Sequence, residues 1–352
     1  MRSRAILAAL AGALVILLGI CTLPSPPRLA AEATGDAALI QRTRDLLAAR
    51  GGVDNTVSVT VIEGEATRSA EFGADRETAF EIGSITKTLT AALLAEAIRR
   101  GEVRADTRLG ELLDLGDSPA SRITLESLAM HTSGLPRLPA TPGVILSAIL
   151  SQYRASDPYH WEVPELIEQA RAAKLSDAGT VSYSNFGVAL LGQGLAAAAD
   201  TDYRSLLTAR VLEPLGMTAN ALPLTPARLP AHAPTGVTAA GRAAAPWTMH
   251  AYAPAGGLRA TATEMTGFTR ALLDGTAPGI EALEPRAEAG EGGHIGLGWF
   301  ITPENITWHN GGTGGYSSFI ALDRSAGRAV IILSSAANPV DDVGIALLGE
   351  AP

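Results

Sequence analysis

The chain has 352 residues, is 47% hydrophobic and carries a formal net charge of −9, which is enough apolar material for one large domain or two ordinary ones. It has no long basic run and no aromatic residues interleaved with basic ones, so composition argues against nucleic acid or an anionic membrane surface as a partner. The only cysteine, Cys21, lies near the N-terminus, so the body of the protein has neither a disulfide nor a thiol nucleophile.

The N-terminus carries Arg2 and Arg4 ahead of an uncharged apolar run from Ala5 to Cys21. This run is longer than a typical signal-peptide core and short for a membrane-spanning helix, so residues 1–33 are interpreted as either a cleaved signal peptide or a retained anchor. Because the positive flank stays inside, everything after about residue 34 is expected to be exported. The protein would then be secreted, or held at the outer face of the cytoplasmic membrane through residues 5–21.

Helix and strand patterns follow in a defined order along the chain. An amphipathic helix, DAALIQRTRDLLAARGG, precedes a predicted β-hairpin formed by TVSVTVIEG and ATRSAEFG. A helix is predicted from Ser84 to about Arg100, ended by Gly101. From about residue 105 to 275 helical segments are broken by Pro and Gly. Strand patterns return in GLGWFI, NITWHNG, SSFIALDR and RAVIILSSA, before a short closing helix.

This order predicts an α+β fold, in which an antiparallel sheet flanked by helices carries an inserted, mostly helical lobe. Early and late strands would share the sheet, giving an α/β lobe of about residues 34–104 and 276–352. The helical lobe would span about residues 105–275. A single domain would therefore cover residues 34–352, with a cleft at the seam between its lobes.

Ser84 and Lys87 are the first candidate catalytic residues. They are three residues apart on a predicted helix, so their side chains lie on one face. Only two of the 27 Lys and Arg residues are lysine, and a lysine desolvated by Leu89 and Leu93 can lose its proton where an arginine cannot. Lys87 would then act as the base for the Ser84 hydroxyl. From this pattern alone, an N-capping serine beside a snorkelling lysine is an open alternative.

Two further motifs carry polar groups with suitable chemistry. Tyr183 and Asn185 stand in the sequence YSN ahead of a predicted helix; a phenol can exchange protons with a serine hydroxyl, and an amide can bind a substrate amide. The stretch WHNGGTGGYSS places His309 on a late strand, followed by Gly311 and Gly312. Glycines there let a substrate backbone approach, and the Gly312 N–H could donate to an oxyanion.

Together, Ser-x-x-Lys, Tyr-x-Asn and a basic residue with glycine on a late strand resemble the motif triplet of the penicillin-recognising serine hydrolases. The stretches ITLESLAMHTSGLP, LEPLGM and PAGGLRATATEM are similar to the branch that contains class C β-lactamases, D-alanyl-D-alanine carboxypeptidases and related esterases. The likeness covers about residues 36 to 336. It implies a β-lactamase/transpeptidase-like fold, no cofactor and no metal. It implies that Ser84 is the nucleophile, Lys87 the base and Tyr183 a proton relay. It also implies that Asn185 orients the substrate and that His309 lies on the side of the substrate anion.

Two departures from that branch stand out. The closing helix, from about Val340 to Leu348, is short, which leaves its packing on the sheet open. Class C β-lactamases also carry Lys-Thr-Gly where this chain has His-Asn-Gly. A lysine at position 309 would hold a fixed charge for a β-lactam carboxylate, whereas a histidine with an ordinary pKa of ~6.5 is mostly neutral at neutral pH. Carboxylate binding is therefore expected to weaken as pH rises, unless an arginine such as Arg259 compensates.

The motifs favour an exported serine acyl-hydrolase that works through an acyl-enzyme on an ester, an amide or a D-alanyl peptide, with a small-molecule or cell-wall-derived substrate. Small esters and D-alanyl peptides are expected to be better substrates than penicillins. A true β-lactamase and a non-catalytic penicillin- or peptide-binding module are the alternatives. A zinc hydrolase is disfavoured because the histidines show no metal-ligand spacing. His131, at a predicted helix end, is expected to be a helix-terminal or buried hydrogen-bonding residue.

Overall fold

The computed structural model describes residues 27–217, 222–230 and 233–349. The predicted signal or anchor run, residues 5–21, lies outside the described residues. Within the described ranges, no helix is long and apolar enough to cross a membrane.

The described strands form a nine-stranded sheet and a separate two-stranded sheet. In chain order they are β1 (Ala33–Gly35), β2 (Val57–Glu63), β3 (Ala66–Phe72), β4 (Phe80–Glu81), β5 (Arg259–Ala260), β6 (Ala287–Glu288), β7 (His294–Ile295), β8 (Phe300–Ile301), β9 (Thr307–Gly312), β10 (Ser317–Asp323) and β11 (Arg328–Ser334). The large sheet has the order β1-β3-β2-β11-β10-β9-β8-β7-β6, and β4 pairs with β5. Strands from the two ends of the chain meet where β2 pairs antiparallel with β11. The predicted antiparallel sheet of early and late strands is therefore confirmed.

The helices in chain order are α1 (Ala37–Arg50), α2 (Thr86–Arg99), α3 (Leu125–Ala129), α4 (Pro142–Arg154), α5 (Val163–Arg171), α6 (Asn185–Ala198), α7 (Tyr203–Leu207), α8 (Ala262–Leu273) and α9 (Asp341–Gly349). Alternation along the strands decides which helices each sheet face meets. On β11, Val330 and Ile332 pack in the cluster that contains α1 and α9, whereas Ile331 and Leu333 face the helices of the other cluster. Both faces of the sheet are thus covered, and the predicted α+β class is confirmed.

The short closing helix packs on the sheet through a close approach. Val343 and Leu347 on α9 are buried in the same cluster as Phe319. A Cβ at Gly344 would lie only 2.2 Å from the Phe319 ring, so glycine is the residue that lets the helix approach. The structure thereby settles how α9 packs, and it places the N-terminal end of this helix beside β9.

Two features of the helical segments differ from the sequence-based expectation. Helix α8 packs on β2 and β11, although the predicted boundary near residue 276 assigned it to the helical lobe. Helix α4 was not predicted, although Thr141 caps it and Pro142 occupies its first turn, which are typical helix-start signals. Its apolar residues lie largely on the solvent side, so its pattern does not read as the buried face of a packed helix.

Helix α2 lies at the centre of the molecule and positions the site. Its residues from Thr86 to Ala97 are all buried, so the helix is enclosed on every side. Its threonines find partners within this enclosure: the Thr90 hydroxyl is 2.8 Å from the Pro254 carbonyl oxygen and 2.7 Å from the Tyr203 hydroxyl. A polar side chain near the start of α2 therefore lies in a water-poor environment between the sheet and the helical lobe.

Candidate active site

Ser84 lies in a 3-10 turn, Gly83–Ile85, that leads directly into α2. We name this segment the nucleophile turn after the predicted role of Ser84. The turn is fixed from two sides. The Ile82 N–H donates to the Leu258 carbonyl at 3.0 Å, and the Ser318 hydroxyl donates to the Ile82 carbonyl at 2.8 Å. Gly83 has a φ of +49° and lies against Gly312, so that a Cβ on Gly83 would be 2.6 Å from the Gly312 nitrogen. The predicted nucleophile is thus held next to the end of β9 by backbone contacts.

Lys87 is 1% exposed, and its Nζ lies 2.9 Å from the Ser84 Oγ. Its other hydrogen bond goes to the Ala255 carbonyl oxygen, at 2.5 Å. No ion pair of Lys87 with an acidic side chain occurs in the described part of the chain. Burial lowers the pKa of Lys87 well below its usual value, and the positive charge of Arg137 lowers it further. The structure therefore brings the predicted base and nucleophile together, with the base in an environment that favours its neutral form.

Tyr183 lies beside the same pair of side chains. The Lys87 Nζ is 4.8 Å from the centre of the Tyr183 ring, and the Arg137 guanidinium carbon is 5.2 Å from it. Burial raises the pKa of the Tyr183 phenol above its usual value, and its hydrogen bond with Ser84 and the charge of Arg137 oppose this only in part. At neutral pH the tyrosine is therefore a protonated phenol, which can donate a proton but cannot serve as a resting base.

His131 and Asn185 make hydrogen bonds that hold the chain segment around Tyr183 in place. The Ser184 N–H donates to the His131 Nδ1 at 3.1 Å, and the two rings of His131 and Tyr183 are 4.6 Å apart. The expected buried hydrogen-bonding role of His131 is thus confirmed. The Asn185 amide, at the start of α6, donates to the Tyr159 hydroxyl at 2.8 Å. Its Oδ1 has no partner among the described residues. Substrate orientation by Asn185 remains a prediction.

His309 is 0% exposed and lies behind Tyr183, with 6.3 Å between the two ring centres. Its Nδ1 is 2.6 Å from the Asn310 carbonyl oxygen. Burial lowers the pKa of His309 to about 3, and the charge of Lys87 adds to this effect. The pKa of His309 thus lies below the ordinary histidine value, and its burial favours the neutral form at neutral pH.

Arg259 does not compensate for that missing charge. It is 2% exposed and forms a buried ion pair with Glu81, in which the Nη2–Oε1 distance is 2.5 Å. The pair lies on the small β4–β5 sheet, where Glu81 and Arg259 are directly opposite residues. The Arg259 guanidinium is already paired with the Glu81 carboxylate. Its position therefore does not support the suggestion that it holds a substrate carboxylate.

A cavity of about 430 Å³ opens above Ser84. Its wall includes the predicted residues Ser84, Tyr183, Gly311 and Gly312. A Cβ at Gly311 would lie 2.0 Å from the Ile82 carbonyl oxygen, so only glycine lets β9 lie this close to the nucleophile turn. Ser84 and Gly312 therefore line one space, and donation to an oxyanion by the Gly312 N–H remains a prediction.

The cavity wall also includes residues that were not predicted, among them Arg137, Phe300, Asn310 and Asp341. Arg137 directly follows the stretch HTSGLP, and Asn310 is the middle residue of His-Asn-Gly, so the motifs themselves pointed to these two positions. Nothing local distinguishes Asp341, which reaches the cavity because α9 begins beside β9. The described residues contain no group of three or more His, Cys, Asp or Glu side chains that could hold a metal ion.

Solved structures share this architecture. A class C β-lactamase from Rhodobacter sphaeroides superimposes with a TM-score of 0.74 at 20% identity, covering 89% of this chain and 98% of that one. A β-lactamase/D-alanine carboxypeptidase from Pseudomonas syringae gives a TM-score of 0.74 at 16% identity and covers 90% and 99% of the two chains. At these identities the likeness shows the fold, and it confirms the β-lactamase/transpeptidase-like architecture.

Relatives in sequence agree with the structural likeness. A protein named "Beta-lactamase" from Lysobacter lactamgenus is 26% identical over 285 residues, which cover 79% of this chain and 69% of that protein. "Beta-lactamase-like protein 2" of Dictyostelium discoideum is 29% identical over 157 residues, and this match spans 40% of the chain but only 26% of that longer protein. The family model described as "Beta-lactamase" matches residues 27–350. Because that match extends over nearly the whole chain, the protein belongs to the β-lactamase family.

Proposed function

We propose that this protein is an exported serine acyl-hydrolase that forms an acyl-enzyme on Ser84 and acts on an ester, an amide or a D-alanyl peptide. The observation that supports it best is the 2.9 Å contact between the Lys87 Nζ and the Ser84 Oγ, in a site that lowers the pKa of the lysine. A neutral amine at this distance can accept the proton of the serine hydroxyl.

The reaction has two halves. In the first, Lys87 takes the Ser84 proton, the Oγ attacks the substrate carbonyl, and the backbone N–H groups of Ser84 and Gly312 hold the oxyanion. The tetrahedral intermediate collapses when the leaving group departs with a proton supplied through Tyr183 and Lys87. In the second, water attacks the acyl ester, its proton returns to the Lys87–Tyr183 pair, and the Ser84 Oγ leaves with a proton.

The protonation states of Tyr183 and Lys87 give the two residues different roles in this scheme. Because burial raises the pKa of its phenol while it lowers the pKa of Lys87, the lysine is the resting base and the tyrosine is the resting acid. The two pKa values are thereby moved apart, so the resting proton stays on Tyr183 and neutral Lys87 is left to accept the Ser84 proton.

Intact-mass spectrometry with a short-chain nitrophenyl ester, a penicillin and a D-Ala-D-Ala peptide tests the proposal. We expect turnover of the ester, a mass increase equal to the acyl group on rapid quenching, and loss of both in Ser84→Ala. Reversible penicillin binding without any adduct or turnover would instead identify a non-catalytic binding module. Penicillin turnover that exceeds turnover of the other two substrates would identify a β-lactamase.

Export is part of the same proposal and is tested separately. Cell fractionation should recover the protein outside the cytoplasm or on the outer face of the membrane. N-terminal sequencing should show whether cleavage follows Ala31-Glu32-Ala33, a small-residue pattern that signal peptidases favour. Cytoplasmic protein that still begins at Met1 would contradict it.

A further inference from the structure

The cavity above Ser84 has two charged side chains in its wall among the described residues, and they come from different parts of the fold. Arg137 follows α3 in the helical lobe, and Asp341 is the first residue of α9 on the sheet. The guanidinium of Arg137 lies over the Tyr183 ring, and its positive charge lowers the pKa of Lys87. The positive end of the cavity is therefore the end where protons are transferred.

Asp341 marks the other end of the cavity. Its Oδ1 accepts a hydrogen bond from the Asn310 side-chain amide at 2.5 Å. Asn310 stands on β9 immediately before Gly311, so the carboxylate lies beside the strand edge that a bound substrate would follow. No ion pair of Asp341 with a basic side chain occurs among the described residues. The negative charge is therefore not neutralised by a neighbour, and one carboxylate oxygen is available to a ligand.

No positive charge on β9 opposes Asp341. His309 is buried and neutral, and Arg259 is committed to Glu81. A substrate carboxylate placed beside Asn310 would meet the like charge of Asp341 across a partly enclosed space, where charge repulsion is weakly screened. A protonated amine in the same place would gain an ion pair and a hydrogen bond.

We infer that Asp341 forms an ammonium subsite, so that the enzyme selects acyl substrates bearing a protonated amine over those bearing a carboxylate at the Asn310 end of the cavity. This inference rests on the proposed acyl-hydrolase function and adds its substrate class: amine-bearing esters and amides, followed by neutral ones, with carboxylates last. It also gives a reason to rank substrates that place a carboxylate beside Asn310 below simple esters.

Thioesters of matched length test the inference. One series has a protonated dimethylamino, a methyl or a carboxylate group on the thiol leaving group, and a second series has the same three groups at the end of the acyl chain. In at least one series, kcat/KM should be about tenfold or more higher for the cation than for the anion at low salt, and the ratio should shrink as salt is added. Asp341→Asn should reduce the ratio toward one, and Asp341→Lys should invert it.

Asp342→Asn is the matched control, because it removes the same charge from the next residue of α9. Asp342 is exposed and is not part of the cavity wall, and its Oδ1 accepts from the Val343 N–H. Its variant should keep the wild-type ratio in both series. A ratio near one in the wild-type enzyme, or a ratio unchanged in Asp341→Asn, would overturn the inference. Both results are obtained while the methyl thioester is turned over, so they are distinct from a failure of the hydrolase itself, in which no thioester reacts.

Discussion

Lys87 and Arg259 are two buried cations near the nucleophile turn, and they differ in the groups that they face. Arg259 faces the carboxylate of Glu81 at 2.5 Å, whereas Lys87 faces a hydroxyl and a carbonyl oxygen. The arginine cannot lose its proton and is stabilised by its partner, while the lysine forms no ion pair with any described residue and has a lowered pKa. The comparison teaches that an acidic partner, rather than burial itself, separates a buried cation that stays charged from one whose pKa is lowered.

Replacing Lys87 with arginine, the other cation type, is expected to have the largest effect on activity. Lys87→Arg keeps the positive charge, but a guanidinium does not accept the serine proton at any accessible pH. We expect a loss of about 1,000-fold in kcat/KM for a neutral ester, close to the loss in Lys87→Ala. Lys174→Arg, at the chain's other and exposed lysine, is the control and should retain full activity. Substantial turnover by Lys87→Arg would reduce Lys87 to an electrostatic partner.

The reciprocal change should affect stability rather than chemistry. Glu81→Gln or Arg259→Met leaves one buried charge without its partner, which costs roughly 3–5 kcal/mol of unfolding free energy. Urea denaturation measures this loss, and activity per folded molecule should stay within a few-fold of wild type. Arg259→Lys, which preserves the charge, should cost less than Arg259→Met. A large fall in the activity of fully folded Arg259→Lys would show that the pair takes part in the reaction.

Lys87→Met should make the protein more stable as it removes activity. Burial lowers the folded-state pKa of Lys87, so the unfolded chain binds more protons between that value and the ordinary lysine pKa of ~10.4. The unfolding free energy of the wild-type protein therefore rises with pH in this window. The difference in unfolding free energy between Lys87→Met and the wild type should become smaller there. At neutral pH we expect a gain of about 1 kcal/mol, from thermal or urea unfolding. A variant less stable than wild type at all pH values would mean that the lysine hydrogen bonds outweigh its desolvation.

The smallest effect is expected in the pH profile at His309. Activity toward a neutral ester should rise with pH through the lowered pKa of Lys87 and then stay level, because the pKa of Tyr183 is raised. Since the pKa of His309 is about 3, it adds no titration near neutrality. The midpoint of the acid limb in His309→Asn should therefore lie within about half a unit of the wild-type midpoint. A second limb near pH 6.5 that disappears in this variant would show that His309 titrates normally.

Local spacing made part of the site predictable. Ser84 and Lys87 meet because a spacing of three residues, in the turn that leads into α2, fixes their separation. The alternation of apolar residues likewise predicted the central strands. These features depend on periodicities that the chain itself carries.

Properties set by the packing of distant segments could not be predicted in the same way. The pKa of His309 depends on its burial behind Tyr183, which is remote in sequence. The contact between Asn310 and Asp341 depends on how α9 packs over Phe319. The commitment of Arg259 to Glu81 depends on a two-residue strand pair too short to leave a pattern. In each case a residue type was visible in the sequence, while its neighbours were not.

The contact between Gly83 and Gly312 also limits how this sequence can evolve. A side chain at Gly83 would collide with the nitrogen, carbonyl carbon and oxygen of Gly312, all of which are backbone atoms, in addition to requiring a positive φ. Most steric conflicts in proteins are relieved when a neighbour mutates to a smaller residue, but Gly312 has no side chain to shorten. No second-site substitution at Gly312 can therefore make room, and descendants of this chain that keep the nucleophile turn must keep glycine at position 83.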